Sequence, residues 1–186
     1  LETIPQLNTS NVISMNSMFS KCNSLHNIPQ LDTSKVTSMI GMFKECNSLQ
    51  TIPKLDTSKV TTMNSMFDSS TSLETIPQLN TSNVTNMGNM FHNCKNLRTI
   101  PQLDTSKVTN MNNMFDGWYS DMSIERIEGL DMSSVTSAEV MLRYCYYLSY
   151  IRLNGSLNTN LDISVTSKLD YDSVKSVLTA ASNTVN

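Results

Sequence analysis

The sequence repeats itself every 24 residues, and this period constrains the fold more than any other feature. The string LETIPQLNTSNV occurs at residues 1–12 and again at residues 73–84, three periods later. All five prolines keep the period, and each follows an isoleucine and precedes a leucine by two positions: Pro5, Pro29, Pro53, Pro77 and Pro101. A repeat of this length is typical of a solenoid, in which each unit buries its apolar face against its neighbours.

Two apolar patterns within one unit predict different local structures. From Val36 to Cys46, apolar residues fall at i, i+3, i+6, i+7 and i+10, which is the stripe of an amphipathic helix. The stretch from Leu25 to Ile28 ends at Pro29, which lacks the N–H of a central strand, so it predicts a strand of about three or four residues. The Asp-Thr-Ser that follows has the chemistry of a turn and a helix cap. We therefore predict an α/β repeat protein with short parallel strands on one face and short helices on the other.

The string VTxMxxMFxxCxxLxxIP resembles the BspA-like leucine-rich repeats of bacterial surface proteins. The resemblance covers roughly residues 1–153 and implies a leucine-rich-repeat solenoid of six coils with a 24-residue period. It also implies display outside the cell and attachment to ligands on a host or a neighbouring cell. The periodicity alone implies only a scaffold that is able to bind a partner.

Residues 154–186 depart from the repeat and are predicted to form a C-terminal cap, since the last unit of a solenoid needs a polar outer face. Asn154-Gly155 is a strong signal for a tight β-hairpin. A further strand is predicted from alternating apolar residues at Leu161, Ile163 and Val165. A last helix from about Asp170, capped by Ser167 or Asp170, would bury Val174, Val177, Leu178 and Ala181. The first unit has no comparable cap, so we expect further residues upstream of Leu1.

Composition excludes two classes of partner. The net charge of −3 argues against nucleic acid, which requires a basic stripe. No apolar run approaches the roughly 18 residues that a membrane span needs. Exposed positions are rich in Asn, Ser and Thr, which gives a hydrogen-bonding but weakly charged surface. This surface suits contact with a protein or a glycan.

Repeated methionines, cysteines and acidic residues raise the question of metal binding. Methionine pairs such as Met39/Met42 have a spacing that can hold Cu(I), but they share the stripe of Phe43 and are predicted to pack in the core. The cysteine position is interrupted by serine and tryptophan, so we predict buried free thiols: Cys22, Cys46, Cys94 and Cys145. A repeated Asn/Asp position fits turn capping better than calcium binding: Asn8, Asp32, Asp56, Asn80, Asp104 and Asp131. No metal and no cofactor is predicted.

No catalytic constellation can be assembled from the sequence. The two histidines, His26 and His92, occupy different positions of the repeat and should lie on different faces. A Ser/His/Asp or Cys/His arrangement therefore cannot be built around either of them. We predict that the chain is not an enzyme.

The candidate ligand-binding residues are those that vary while the repeat frame stays fixed. They precede the isoleucine or follow the proline, and they should form a ladder facing away from the sheet, where solenoids commonly bind partners. The alternative is that they are solvated spacers. They are His26, Asn27, Gln30, Gln50, Thr51, Lys54, Glu74, Thr75, Gln78, Arg98, Thr99 and Gln102.

Aromatic residues near the C-terminal end form a second candidate site. Exposed Tyr and Trp are common in binding hot spots, although packing of the last coil against the cap would explain them as well. They are Trp118, Tyr119, Tyr144, Tyr146, Tyr147 and Tyr150.

These observations favour a non-enzymatic recognition or adhesion module of a bacterial surface or secreted protein. It would be extracellular and would bind a protein or glycan on a host or neighbouring cell. One alternative is a host-recognition component of a phage tail that uses the same repeat. Another is a purely structural spacer.

Overall fold

Successive units lie side by side in the computed structural model, which describes residues 2–118, 121–163 and 168–182. Residues one repeat apart form a row of parallel bridges across six units: Ser14, Ser38, Thr62, Asn86, Asn110 and Ser137. We call residues at one repeat position in successive units a column. The last step of this column spans 27 residues rather than 24, because the fifth unit is longer than the others.

Each unit is hydrogen-bonded to the next through the segment that the sequence predicts to be helical. Within residues 39–45, every second N–H donates to a carbonyl of the next unit: Met39 to Thr62 (3.2 Å), Gly41 to Asn64 (2.9 Å), Phe43 to Met66 (2.8 Å) and Glu45 to Asp68 (2.7 Å). Two intervening N–H groups close turns onto carbonyls three residues back: Met42 to Met39 (3.3 Å) and Lys44 to Gly41 (3.1 Å). The Ile40 N–H instead donates to the Asn16 Oδ1 of the preceding unit (2.9 Å). Gly41 and Glu45 have left-handed backbones, with φ of 58° and 57°. The predicted helix over Val36–Cys46 is therefore wrong, and its i+3 apolar spacing comes from consecutive turns.

Within the described ranges, regular strands form only where the repeat lacks its proline. Strand β1, Arg126–Asp131, and strand β2, Tyr150–Asn154, pair in parallel and carry Glu128 and Arg152 at the proline position. A bulge at Gly129, with φ of 62°, shifts the register between the two ends of β1. In the units that contain proline, the same segment makes single bridges, such as Thr3 with Asn27. Proline removes an N–H that a continuous ladder needs, which explains the difference.

The predicted hairpin at Asn154-Gly155 is wrong. Strand β2 ends at Asn154 and pairs with β1, and no strand follows within the described residues up to 163. Gly155 has φ of 74°, and a Cβ on it would lie 2.0 Å from the Ser133 Oγ. Glycine is required there by close packing of the chain rather than by a hairpin turn. Val165 and Ser167 lie outside the described residues.

Helix α1, Tyr171–Ser182, begins where the sequence predicts, and the Asp170 carboxylate accepts the Ser173 N–H (2.8 Å) as its cap. Its buried face is different from the predicted one, since Val174 and Leu178 are exposed. The buried residues are Ser173, Val177 and Ala180.

Hydrogen bonding to β2 explains which face of α1 is buried. The Ser173 hydroxyl accepts the Ile151 N–H (2.9 Å), and the Ser176 hydroxyl accepts the Leu153 N–H (2.8 Å). The Ser176 hydroxyl also donates to the Leu153 carbonyl (3.0 Å). Serines on α1 thus satisfy main-chain groups along a strand edge that would otherwise remain unpaired.

One apolar core runs through all the units. Neighbouring phenylalanine rings stack in a single column with centroids 5.6–5.7 Å apart: Phe19, Phe43, Phe67, Phe91 and Phe115. The methionine pairs are buried beside them, as predicted, except for the half-exposed Met18. Cys46, Cys94 and Cys145 are buried free thiols, as predicted, and each donates its S–H to a phenylalanine carbonyl (3.0–3.2 Å). Cys22, in the first unit, is only partly buried, so the prediction is wrong for this residue.

Candidate functional site

A groove of about 1130 Å³ crosses consecutive units at the turn that follows each proline. It is lined by four neighbouring columns of the repeat. The lining residues are Gln30, Lys54, Gln78, Gln102 and Gly129 of the first column; Leu55, Leu79 and Leu103; Asp56, Asn80, Asp104 and Asp131; and Thr57, Thr81 and Thr105, with Ser82. Similar chemical groups therefore recur along the groove, except that Lys54 and Gly129 replace glutamine in the first column.

Side chains rather than main-chain bonds connect the units along the groove. The Gln78 Nε2 donates to the Gln102 carbonyl of the next unit (2.7 Å), and Gln30 makes the equivalent bond to Lys54. The buried Thr81 hydroxyl donates to the Asp104 carbonyl (2.9 Å). Because these contacts recur from unit to unit, the floor of the groove is held in place before any ligand arrives.

The Asn/Asp column caps turns, as predicted, and also forms one wall of the groove. The Asp104 Oδ1 accepts the Ser106 N–H (3.0 Å) and hydroxyl (2.7 Å), and Asn80 makes the same bonds to Ser82. Hydrogen bonds from the Ser106 hydroxyl and N–H lower the pKa of Asp104, so this carboxylate is ionised at neutral pH. No described residue donates to its second oxygen, Oδ2. The wall therefore presents exposed acceptor atoms.

Lys54 interrupts the column of glutamines. Among the described residues it forms no side-chain hydrogen bond or ion pair. The groove lining contains this one ammonium and three carboxylates, those of Asp56, Asp104 and Asp131. The described lining is therefore negatively charged overall.

The structure separates the predicted ligand-binding residues into two groups. Four of them line the groove: Gln30, Lys54, Gln78 and Gln102. The other eight are exposed but lie outside its lining: His26, Asn27, Gln50, Thr51, Glu74, Thr75, Arg98 and Thr99. The sequence predicts the Asn/Asp column as turn caps and does not predict that it lines a groove. Its regular recurrence, once in each unit, is the feature that could have indicated a continuous wall.

The five aromatic candidates that the structure describes each contact a neighbouring ring or cation. The exposed Trp118 ring meets His92 edge-on, with centroids 5.6 Å apart. The other contacts are Tyr144 with Tyr146, Tyr147 with Lys168, and Tyr150 with Arg126. Tyr119 lies outside the described residues. These rings support neighbouring side chains, and none of them lines the groove.

A column of charged side chains, which sequence reasoning missed, links five units: Lys44, Asp68, His92, Asp116 and Arg143. Asp68 lies between the Lys44 ammonium and the His92 Nδ1, both at 2.7 Å. Asp116 is fully buried and accepts the Arg143 Nε (3.0 Å). The sequence feature that could have identified this column is the recurrence of opposite charges at one repeat position. His92 is part of this charged column.

The charged column should make the fold sensitive to acid. Burial alone would raise the pKa of Asp68, but hydrogen bonds from His92, Lys44 and Ser69 outweigh it and leave this pKa below its usual value of 3.8. A carboxyl group with a depressed folded-state pKa stabilises the fold above its unfolded pKa, and this stability is lost as the pH falls through the folded value.

We therefore expect the free energy of unfolding to fall as the pH drops below about 4, with a smaller fall in Asp68→Asn. Urea unfolding followed by circular dichroism between pH 7 and pH 2 measures both proteins. Equal pH dependence in the two would contradict this role for Asp68.

The stacked units and the groove across them define a repeat protein with a solvent-facing groove whose lining recurs from unit to unit. The family model described as "Mycoplasma protein of unknown function, DUF285" matches residues 2–98 and 71–162, and the chain belongs to this family. Searches of curated proteins and of solved structures each found no match. In the part of the chain that the structure describes, no helix has the length and apolar character of a membrane span.

Proposed function

We propose that the chain is a non-enzymatic recognition or adhesion module that acts at the cell surface or outside the cell. Its fold would be a BspA-like leucine-rich-repeat solenoid, and its ligand, a protein or a glycan, would bind in the groove. The observation that carries the proposal is the groove itself, in which the same polar groups recur from unit to unit.

The rigidity of the groove supports a role in binding. Buried threonines and leucines form the floor, and the glutamine amides tie neighbouring units together. A surface that is already ordered loses little conformational entropy when a ligand binds. Polar atoms that project from such a floor can therefore contribute to affinity.

The environment of the cysteines also favours a binding role over catalysis. Burial raises the pKa of the Cys46 thiol to about 12 and raises the pKa of Cys94 as well. Thiols of this kind remain protonated at neutral pH and are poor nucleophiles. Their S–H groups are committed to carbonyl oxygens of the core.

Two matched triple variants test the proposal. The groove variant carries Lys54→Ala, Gln78→Ala and Gln102→Ala, and the face variant carries Gln50→Ala, Glu74→Ala and Arg98→Ala. All six side chains are exposed, and each variant loses one contact between units: the Gln78 bond to the Gln102 carbonyl in the groove variant and the Arg98–Glu125 ion pair in the face variant. The two melting temperatures should therefore fall by a similar, small amount. Binding to a glycan and matrix-protein array should fall at least about tenfold in the groove variant and change little in the face variant.

Each result of this comparison has a clear meaning. If only the face variant lost binding, the ligand would bind at the residues that precede the isoleucine of each unit, such as Gln50, Glu74 and Arg98, and not in the groove. Undiminished binding by both variants would contradict a site on either group of residues. An absence of binding by the parent chain to every arrayed ligand and to cultured cells would favour a structural spacer.

A further inference from the structure

The exposed groups of the groove are mostly hydrogen-bond acceptors. The Gln30 and Gln78 Nε2 groups already donate to main-chain carbonyls, which leaves each Oε1 as the group available to a ligand. The carboxylates of Asp56 and Asp104 each use one oxygen in a turn and retain the other. A fitting ligand must therefore be rich in donors.

The acceptors recur at the spacing of the units. Parallel bridges elsewhere in the units hold neighbouring main chains near the distance between adjacent strands, about 4.8 Å. Equivalent rings in the core lie 5.6–5.7 Å apart, so groups in the groove recur about every 5 Å. An extended β-1,4-linked pyranose chain advances by a similar distance for each sugar and turns over at each linkage. Each unit would therefore meet one sugar, and every second unit would meet the same edge of a sugar. An extended peptide advances by about 3.3 Å per residue and would fall out of register after one unit.

The floor of the groove has no opening for a large apolar side chain. Leu55, Leu79 and Leu103 are 2–3% exposed and close it between the two polar walls. Protein ligands usually insert aromatic or aliphatic anchors into such openings. Hydroxyl groups, in contrast, can donate to carboxylate and amide oxygens that lie along a shallow groove.

We propose that the groove binds an extended, neutral, β-linked polysaccharide, with about one sugar placed on each unit. This inference rests on the proposed function and names the ligand class of the same site. The sugar hydroxyls would donate to the carboxylates of Asp56, Asp104 and Asp131 and to the glutamine Oε1 atoms. Lys54 and the Asn80 amide would donate to ring and hydroxyl oxygens.

A length series of β-1,4-linked glucose oligosaccharides, from disaccharide to hexasaccharide, tests this match by isothermal titration calorimetry. Affinity should rise with each sugar until the four units with an Asn/Asp wall residue are filled, and then level off. The α-1,4-linked hexasaccharide, whose chain curves, should bind at least about tenfold more weakly. Equal binding of the two hexasaccharides, or affinity independent of length, would overturn the proposal.

Asparagine substitutions test the role of the carboxylates without removing the turns. Asn80 occupies this column naturally and accepts the same serine bonds, so Asp56→Asn with Asp104→Asn should fold normally. This double variant should bind the β-linked hexasaccharide about tenfold more weakly, because charge-assisted bonds become neutral ones. Asp32→Asn, in the same column but outside the groove lining, is the matched control and should bind as the parent does. Wild-type affinity in the double variant would overturn the assignment of these carboxylates.

A basic peptide is the competing ligand, since the groove is negatively charged. Binding of a lysine-rich decapeptide would weaken strongly as salt is raised from about 0.05 to about 0.5 M, whereas binding of a neutral sugar would change little. Salt-sensitive binding of the decapeptide without binding of any oligosaccharide would overturn the polysaccharide assignment. If the groove triple variant had also lost binding on the array, the proposed function would stand and only the ligand class would be wrong.

Discussion

Replacing Phe67 by alanine should lower the free energy of unfolding by about 3–5 kcal/mol, the usual cost of deleting a buried aromatic ring. Phe67 is fully buried, and its ring stacks on Phe43 at 5.6 Å and on Phe91 at 5.7 Å. The resulting cavity would lie between two units. Urea unfolding followed by circular dichroism, compared with the parent chain, measures the loss.

Phe19→Ala is the matched control for this variant. Phe19 occupies the same column in the first unit and stacks on one ring, that of Phe43. Phe19→Ala removes one ring-stacking contact rather than two. It should therefore lower the free energy of unfolding clearly less than Phe67→Ala does. An equal or larger loss in Phe19→Ala would contradict the idea that the stacked rings hold neighbouring units together.

The sequence was sufficient to predict which side chains form the core. The period placed Val36, Met39 and Phe43 on one stripe, and all three are buried. It was not sufficient to predict the backbone beneath them. Apolar spacing of i, i+3 and i+6 fits a helix and also fits turns that close every three residues. What decides between them is whether the N–H groups bond within the unit or to the next one, and a single unit contains no information on that.

The strand prediction failed for a related reason. The residues before Pro29 were predicted to form a strand. The proline that ends this segment lacks an N–H, however, so a continuous ladder of main-chain hydrogen bonds cannot form there. The units with Glu128 and Arg152 at this position form β1 and β2. Likewise, the buried face of α1 follows the need of β2 for hydrogen-bonding partners, which Ser173 supplies. Hydrophobicity alone favoured the face of α1 that carries Val174 and Leu178, which is exposed.

The candidate site could be predicted only in part. The column that contains Gln78 and Gln102 was identified because its residues follow the proline, vary while the repeat frame stays fixed and were expected to face solvent. The acidic wall was interpreted as turn chemistry, which is correct for one oxygen of Asp104 but leaves out the other. The charged column that contains His92 was missed because each charged residue was considered alone. A comparison of residues at the same repeat position would have shown opposite charges in neighbouring units.

Replacing Asp116 by alanine should lower the free energy of unfolding by about 2–3 kcal/mol. Its side chain is fully buried and accepts hydrogen bonds from the Arg143 guanidinium and from the Trp118 N–H (3.2 Å). Without the carboxylate, the half-buried Arg143 and the Trp118 N–H lose charge-assisted hydrogen bonds. Because Arg143 is 36% exposed, water can solvate part of its charge, which keeps the expected loss below that of a fully buried pair.

The exposed pair of Arg98 and Glu125 is a matched control, because it also joins residues 27 positions apart in neighbouring units. Glu125→Ala should cost at most about 1 kcal/mol, since both side chains are largely solvated. Asp116→Asn should fall between the two, because the amide oxygen can still accept the Trp118 N–H. Guanidinium unfolding of the three variants in parallel measures this order. If Asp116→Ala were no less stable than Glu125→Ala, the charged column would contribute nothing to the cohesion of the units.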